Sequence, residues 1–330
     1  MNEGPRWEPV QPPTPPPSGP APMGLGQVFE VGRRILRRHW GVLLLVALLF
    51  MGPGALLSSA TASRFTEVAL DLFPELDGGT IDTELRLTAS QLDRLIDALV
   101  PFLGASLLAG VLGSIGALAF SAVVAEDYHS RPAETGVVLR ASLRRAPSAL
   151  VFMLVTGLLI AGLIVVGLLG ISVATLVLPT AAAGGPGVFL ALIIGVGMAV
   201  AIVYLTMRWA PAYAAMIEED VGWRRALRRS WHLSGDNVLR IFAVSATVAI
   251  LTGLLSSILG AVFDAFLTAL AGTVLGLDPL VASTIALAMA GVIVSPAMPV
   301  LMAVLFFDLR IRRDAAAAPA TEATPPTLSG

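Results

Sequence analysis

Few side chains in this sequence are of the kinds that carry out chemistry. The three histidines, His39, His129 and His232, never fall at the i, i+4 spacing that lets one helix hold a zinc ion. There is no cysteine, which excludes a disulfide framework, a thiolate zinc site and an iron–sulfur cluster. Neither an H-E-x-x-H helix nor a G-x-S-x-G nucleophile turn occurs. The acids Glu126, Asp127, Glu218, Glu219, Asp220 and Asp308 fall in three separate places, so a shared metal is a remote reading. All 21 basic residues are arginine. Guanidinium is the better group for two-pronged contact with phosphate, but a GC-rich genome that favours arginine codons is the simpler explanation. The expectation is a protein with no catalytic constellation and no cofactor.

The solvent these residues live in follows from composition. The chain is 56% hydrophobic and 13% charged, with mean hydropathy +0.83, whereas soluble domains carry about 25% charged residues. Six apolar stretches, at about 41–62, 98–125, 149–178, 187–205, 241–262 and 279–307, reach or approach the roughly 20 residues needed to cross a bilayer. They are apolar all round, unlike helices of a soluble core. Pro53, Pro211, Pro296 and Pro299 mark expected kinks. Residues 1–23, with nine prolines, read as a disordered tail able to offer a proline-rich ligand to a protein partner; residues 314–330 read as a second tail. Seventeen arginines fall before span 1, between spans 2 and 3, between 4 and 5, and after 6; Arg64, Arg86 and Arg94 lie in the first opposite loop, about 63–97, beside eight acids. By the positive-inside rule both termini are cytoplasmic.

Those arginines repeat. The pattern Arg-x-x-Leu-Arg-Arg occurs at 33–38, 140–145 and 224–229, each time ahead of an odd-numbered span. The expected fold is therefore all-α: an integral membrane six-helix bundle of three tandem units, each an amphipathic helix followed by a transmembrane hairpin. In the first copy Leu25, Val28, Phe29, Gly32, Ile35 and Leu36 form one apolar stripe; in the third Trp223, Leu227 and Trp231 recur every four residues. Helices of this kind lie in the interface. On that reading Arg33, Arg34, Arg37, Arg38, Arg140, Arg144, Arg145, Arg224, Arg225, Arg228 and Arg229 face anionic headgroups, each contributing about 1 kcal/mol, while Leu36, Leu143 and Leu227 point into the acyl boundary. The bland alternative is that the arginines only enforce topology.

Acids stand where each even-numbered span leaves the membrane: Glu126 and Asp127, then Glu218, Glu219 and Asp220, then Asp308. Beside arginine-rich helices these acids are expected to make charge pairs that fix one unit against another. Arg208, ten residues before Glu218, lies about 15 Å inside a continuous helix. It is either a functional intramembrane charge or a snorkelling side chain. Asp264 belongs near the opposite boundary, too far away to be its partner.

The segment from Arg208 to Asn237, with Arg-Trp-Ala-Pro-Ala-Tyr and Ala-Leu-Arg-Arg-Ser-Trp-His, resembles a bacterial pattern, as does the ending Phe307-Asp308-Leu309-Arg310. Together with the helix before Trp40 they are similar to the membrane-domain family named after glycerophosphoryl diester phosphodiesterases. The likeness covers most of 24–313. It implies a six-helix protein of the bacterial cytoplasmic membrane, and it does not carry the catalytic activity. That activity belongs to a separate barrel with a His-Arg-Gly type motif, and no His-Arg pair exists here. The expected role is a non-enzymatic envelope scaffold or the membrane subunit of an assembly, partnered by the lipid bilayer and not by nucleic acid. A transporter or lipid-handling protein is the alternative.

Overall fold

The computed structural model describes residues 22–72, 88–177, 185–270 and 279–317. They form helices without strands. Six spans are long and apolar enough to cross a membrane: Trp40–Leu72, Ala89–Tyr128, Thr135–Ala174, Pro186–Glu218, Val238–Leu270 and Val281–Ala315. The chain is an all-α, multi-pass membrane protein.

Helix α1 (Leu25–Arg38) buries Val28, Gly32 and Ile35 and leaves its four arginines out, as the stripe required. Span 1 is built from α2 (Trp40–Val46), a π-helical turn at Ala47–Met51, and α3 (Gly52–Leu72). The π turn comes just before Pro53, whose missing N–H cannot continue the regular ladder. Helix α4 (Ala89–Tyr128) starts in a capping box: Thr88 Oγ1 accepts the Gln91 N–H and the Gln91 side chain accepts the Thr88 N–H. Helix α5 (Thr135–Val177) carries both the second arginine repeat and span 3 in one piece. The three units are therefore unequal, because the second has no hinge between its basic helix and its span. Span 4 is α6 (Pro186–Trp209) and α7 (Ala212–Glu218), broken at Ala210 and Pro211. Helix α8 (Trp223–Ser234) holds the third repeat, and a 3₁₀ turn at Gly235–Asn237 leads into α9 (Val238–Leu270). Span 6 is α10 (Pro279–Val294) and α11 (Ala297–Ala317), broken at Ser295 and Pro296. Pro299 makes no kink, since it sits in the first turn of α11, where its N–H is not needed.

Two expected boundaries move. Most of the described part of 63–97 is helical, because α3 runs to Leu72 and α4 begins at Ala89. Stacked Phe65 and Phe102 and an Arg94–Asp71 pair at 3.7 Å hold these extensions together. Helix α11 also runs four residues into the segment read as a tail. Residues 1–21, 73–87 and 318–330 lie outside the described residues.

The hairpins pack as α3 on α4, α5 on α6 and α9 on α10, while α4, α7 and α11 meet at the centre. Burial is concentrated toward the arginine-rich end: Phe120 and Val123 of α4, Met216 of α7, and Leu305 and Phe306 of α11 are nearly or wholly enclosed. Toward the other end Leu158, Val166, Phe189, Ile250 and Phe266 are exposed, as side chains facing lipid must be. The most apolar stretch of the fourth span has no buried residue, and that of the sixth is 61% buried. The sixth span is thus the axial one and the fourth lies outside.

Small residues permit the close approach of α3 and α4. A Cβ on Gly54 would lie 2.9 Å from the Ala109 Cα, a backbone atom that cannot rotate away. Gly54→Ala should therefore destabilise the protein by about 1–3 kcal/mol, despite the better helix propensity of alanine. Gly104→Ala, with nothing within 4 Å of its added Cβ, should be neutral or stabilising. Unfolding midpoints of both variants in detergent check the pair.

Candidate functional site

The arginine-rich end is where the charged residues meet, and they meet in a pattern. Asp127 accepts from Arg38 at 3.2 Å and lies 2.9 Å from His39 Nε2. Asp220 accepts from Arg144 at 2.6 Å and from Arg145 Nε at 2.9 Å. Asp308 lies 2.9 Å from Arg240 and 3.0 Å from Arg312. In each case an acid at the end of a hairpin holds a basic residue at the beginning of the same hairpin. The expectation that the exit acids fix one unit against another does not hold for these three, whose pairs close a unit on itself. The reason is topological, because a hairpin returns its end to its own beginning.

Coupling between units, as expected of exit acids, runs through Glu218 and Glu219 and through further contacts. Glu218 lies 3.1 Å from His129 and 3.1 Å from Arg310, joining the ends of spans 2, 4 and 6. Arg229 of α8 reaches back to Glu219 at 2.8 Å, whereas Arg313, which donates to the His232 carbonyl, acts within the third unit. The Trp223 N–H at the start of α8 is taken by Ser148 of α5 at 2.6 Å. Asp308 also accepts the Met23 N–H at 2.7 Å, while Arg240 and Arg312 donate to the Met23 carbonyl at 2.6 and 2.5 Å. These four residues bring the segment before α1 onto α9 and α11.

Exposure decides which pairs matter. The Asp308 side chain has 0% exposure and that of Asp220 has 54%. Breaking a buried pair by removing one partner leaves an uncompensated charge, whereas an exposed pair contributes little. The hydrogen bond from Arg145 holds the Asp220 carboxyl below its ordinary range; slight burial opposes this, and the charges of Arg145 and Arg144 add to it. The contribution of that pair is present above the ordinary carboxylate pKa and is lost as pH falls through the depressed value.

The eleven repeat arginines divide by position. The sixth residue of each copy, Arg38, Arg145 or Arg229, pairs with an acid of the chain. Arg144 shares Asp220, and Arg34 pairs with Glu30 at 3.6 Å. Arg33, Arg37, Arg140, Arg224, Arg225 and Arg228 are exposed and have no acid partner among the described residues. The residue buried against the protein is the one before the leucine, Ile35, Ser142 or Ala226. The leucines lie further out, Leu143 at 54% exposure.

Arg208 is a strut between α6 and α8. It donates to the Tyr204 hydroxyl at 2.7 Å and the Trp231 carbonyl at 3.1 Å, with its guanidinium over both rings. Its own carbonyl, beside the helix break, accepts the Ser230 hydroxyl at 2.6 Å. Asp264 accepts from Ser283 of α10, far from Arg208 as its position required. Among the described residues no three His, Asp or Glu are placed to hold a metal.

Beneath the charged layer lies a cavity of about 320 Å³ between α4, α5, the α6–α7 break and α11. Sequence reasoning did not find this cavity, the partners of Glu218 or the Met23 contact. All three depend on how the hairpins pack, and no spacing along the chain reports that.

Asp308→Asn should destabilise the protein by about 3–5 kcal/mol, because Arg240 and Arg312 would be left around a neutral group. Asp220→Asn should have a much smaller effect, visible only above the depressed Asp220 pKa and weakened by salt. Thermal unfolding in detergent across pH and ionic strength checks both.

No protein-family model matches the chain, and no curated protein or solved structure matches it.

Proposed function

We propose that this chain is a non-enzymatic scaffold of the bacterial cytoplasmic membrane, or the membrane subunit of a larger assembly, with both termini cytoplasmic. The observation that carries this reading is the use made of the acids. Asp127, Glu218, Glu219, Asp220 and Asp308 each hold a basic residue of the same chain. They tie hairpins, where a hydrolase would need a free acid and base. The resemblance to the membrane-domain family of glycerophosphoryl diester phosphodiesterases supports the same architecture and location. The six outward arginines supply the contact with anionic headgroups, and the proline-rich tail offers a second contact, for a protein partner. Lipid handling is the second reading, favoured by the apolar cavity.

Three measurements test the proposal. Reporter fusions at both tails and near residue 80 should place the tails inside and the loop outside; an external tail overturns the topology. The purified chain should not turn over glycerophosphodiesters with or without divalent metal. Arg33→Gln, Arg140→Gln and Arg224→Gln together should lower retention of phosphatidylglycerol by about 1 kcal/mol for each charge removed, less at high salt, at unchanged stability. Arg38→Gln, Arg145→Gln and Arg229→Gln together should do the reverse. Native mass spectrometry and thermal unfolding read both sets; if the first set loses stability and keeps its lipid, the headgroup role fails.

A further inference from the structure

The cavity beneath the charged layer is lined almost wholly by apolar surface, from Ala117 on α4, Phe152 and Ile160 on α5, and Met298, Met302 and Ala303 on α11. The polar side chains in its wall are mostly committed. Ser121, Thr156 and Thr206 donate to carbonyls of their own helices at 2.8, 2.8 and 2.7 Å. Two groups are not: the Tyr213 hydroxyl and the Trp209 indole N–H make no hydrogen bond among the described residues, and both residues line the cavity.

Tyr213 is five residues before Glu218, about 7 Å along α7, and Thr206 lies on α6 across the break at Ala210–Pro211, two residues before Arg208, which is hydrogen-bonded to Trp231 of α8. Thr206 is exposed on the lipid-facing side of α6, so the cavity opens there into the bilayer. The cavity therefore sets one free phenol hydroxyl beside a wall that is almost wholly apolar. A membrane phospholipid joins the two matching groups, ester oxygens that accept a hydrogen bond and an acyl chain. An apolar cavity of about 150 Å³ already stays dry and takes up benzene. At about 320 Å³ this one falls in the range of true ligand pockets, about 300–1,000 Å³.

We infer that this cavity is a binding site for one acyl chain of a membrane phospholipid, entering past Thr206 from the leaflet at the arginine-rich end, with Tyr213 donating to its ester. The inference does not rest on the scaffold reading, because the cavity lining contains no arginine. Nor does it need an anionic headgroup: ester and chain are common to phospholipids of any charge.

The full chain in vesicles of phosphatidylcholine bearing a photoactivatable acyl chain tests it. Phe152 and Met302 are 4% and 8% exposed, so bulk lipid does not reach them, while Leu158 and Leu192 face lipid and serve as controls. Crosslinks are expected at Phe152 and Met302 as well as at the controls. Ala117→Phe, which fills the cavity, and Thr206→Phe, which blocks its mouth from an exposed position that the fold tolerates, should each cut the two cavity crosslinks at least fivefold and leave the controls unchanged. Tyr213→Phe should lower retention of phosphatidylcholine in native mass spectrometry at least threefold without lowering the unfolding temperature. Absence of crosslinks at Phe152 and Met302 in the parent protein overturns the site, as do cavity crosslinks that persist unchanged in Thr206→Phe. Unchanged retention in Tyr213→Phe overturns the ester contact. Because the lipid is zwitterionic, failure here is separate from failure of the arginine contacts with phosphatidylglycerol.

Discussion

The packed end of this molecule depends on a carboxylate with no access to solvent. Burying a charge costs several kcal/mol unless partners replace the water it gives up. Asp308 has three such partners, the guanidiniums of Arg240 and Arg312 and the backbone N–H of Met23. The same arginines also take the Met23 carbonyl, so one short piece of backbone has both its polar groups satisfied at that spot. This makes the position of α1 a consequence of the buried acid. With residue 23 fixed, α1 falls along α11, and Gly32 is the residue that lets it come close: a Cβ there would overlap the Leu301 side chain.

Between helices in lipid there is no hydrophobic driving force, since acyl chains are as apolar as leucine. Association must come from close packing and polar contacts, and in this chain both are concentrated at one end. The buried core and the ion pairs lie there, and the lipid-exposed leucines and valines lie toward the other. The helix breaks at Ala210–Pro211 and Ser295–Pro296 fall on the boundary between these regimes, and the cavity wall runs past both, including Ala210, Tyr213, Met298 and Pro299. A straight helix pair would close this space. Two helices bent by proline at similar depth leave it open, which is a physical reason for a cavity of this size in an otherwise well-packed region.

The spans were legible because length and apolarity are properties of the sequence alone, and the α1 stripe was legible because 3.6-residue periodicity is too. The arginine repeat announced the tandem units correctly. What it did not announce was the division of labour within each copy. Arg33 and Arg38 are the same residue type five positions apart, yet Arg38 reaches Asp127 from 89 residues away while Arg33 faces outward. Sequence reasoning named Asp127, Asp220 and Asp308 from their place at the ends of even-numbered spans, and the structure gives each a basic partner. It expected such acids to tie one unit to another, which Glu218 and Glu219 do; these three close their own hairpins instead, because a hairpin returns its end to its own beginning. The first opposite loop was drawn too long for a related reason: apolarity ends before helicity does, and Thr88, Gln91 and the Phe65–Phe102 stack carry the helices beyond the bilayer-length stretch.

The third unit departs from the other two, and the departure has a consequence for how the molecule holds together. In the first two units the arginine at the sixth position of the repeat closes its own hairpin. In the third, Arg229 instead binds Glu219, at the end of the second unit, and Arg240, eleven residues later, closes the third hairpin on Asp308. Helix α8 is thereby bound to the preceding unit, through Glu219, through Ser148 at its first N–H, and through Arg208, which is held at the Trp231 carbonyl, while Arg313 at the His232 carbonyl keeps it on its own unit as well. The 3₁₀ turn at Gly235–Asn237 sits between α8 and α9, where the chain changes allegiance from one unit to the other. Contact between α6 and α9 within the bilayer is slight, so the second and third hairpins are joined mainly at the arginine-rich end. If three identical units each closed only on themselves, nothing polar would bind the second to the third. The exchanged arginine adds to the connection that Glu218 and Arg310 make between the second and third units, and it explains why the repeat is conspicuous in sequence but unequal in structure.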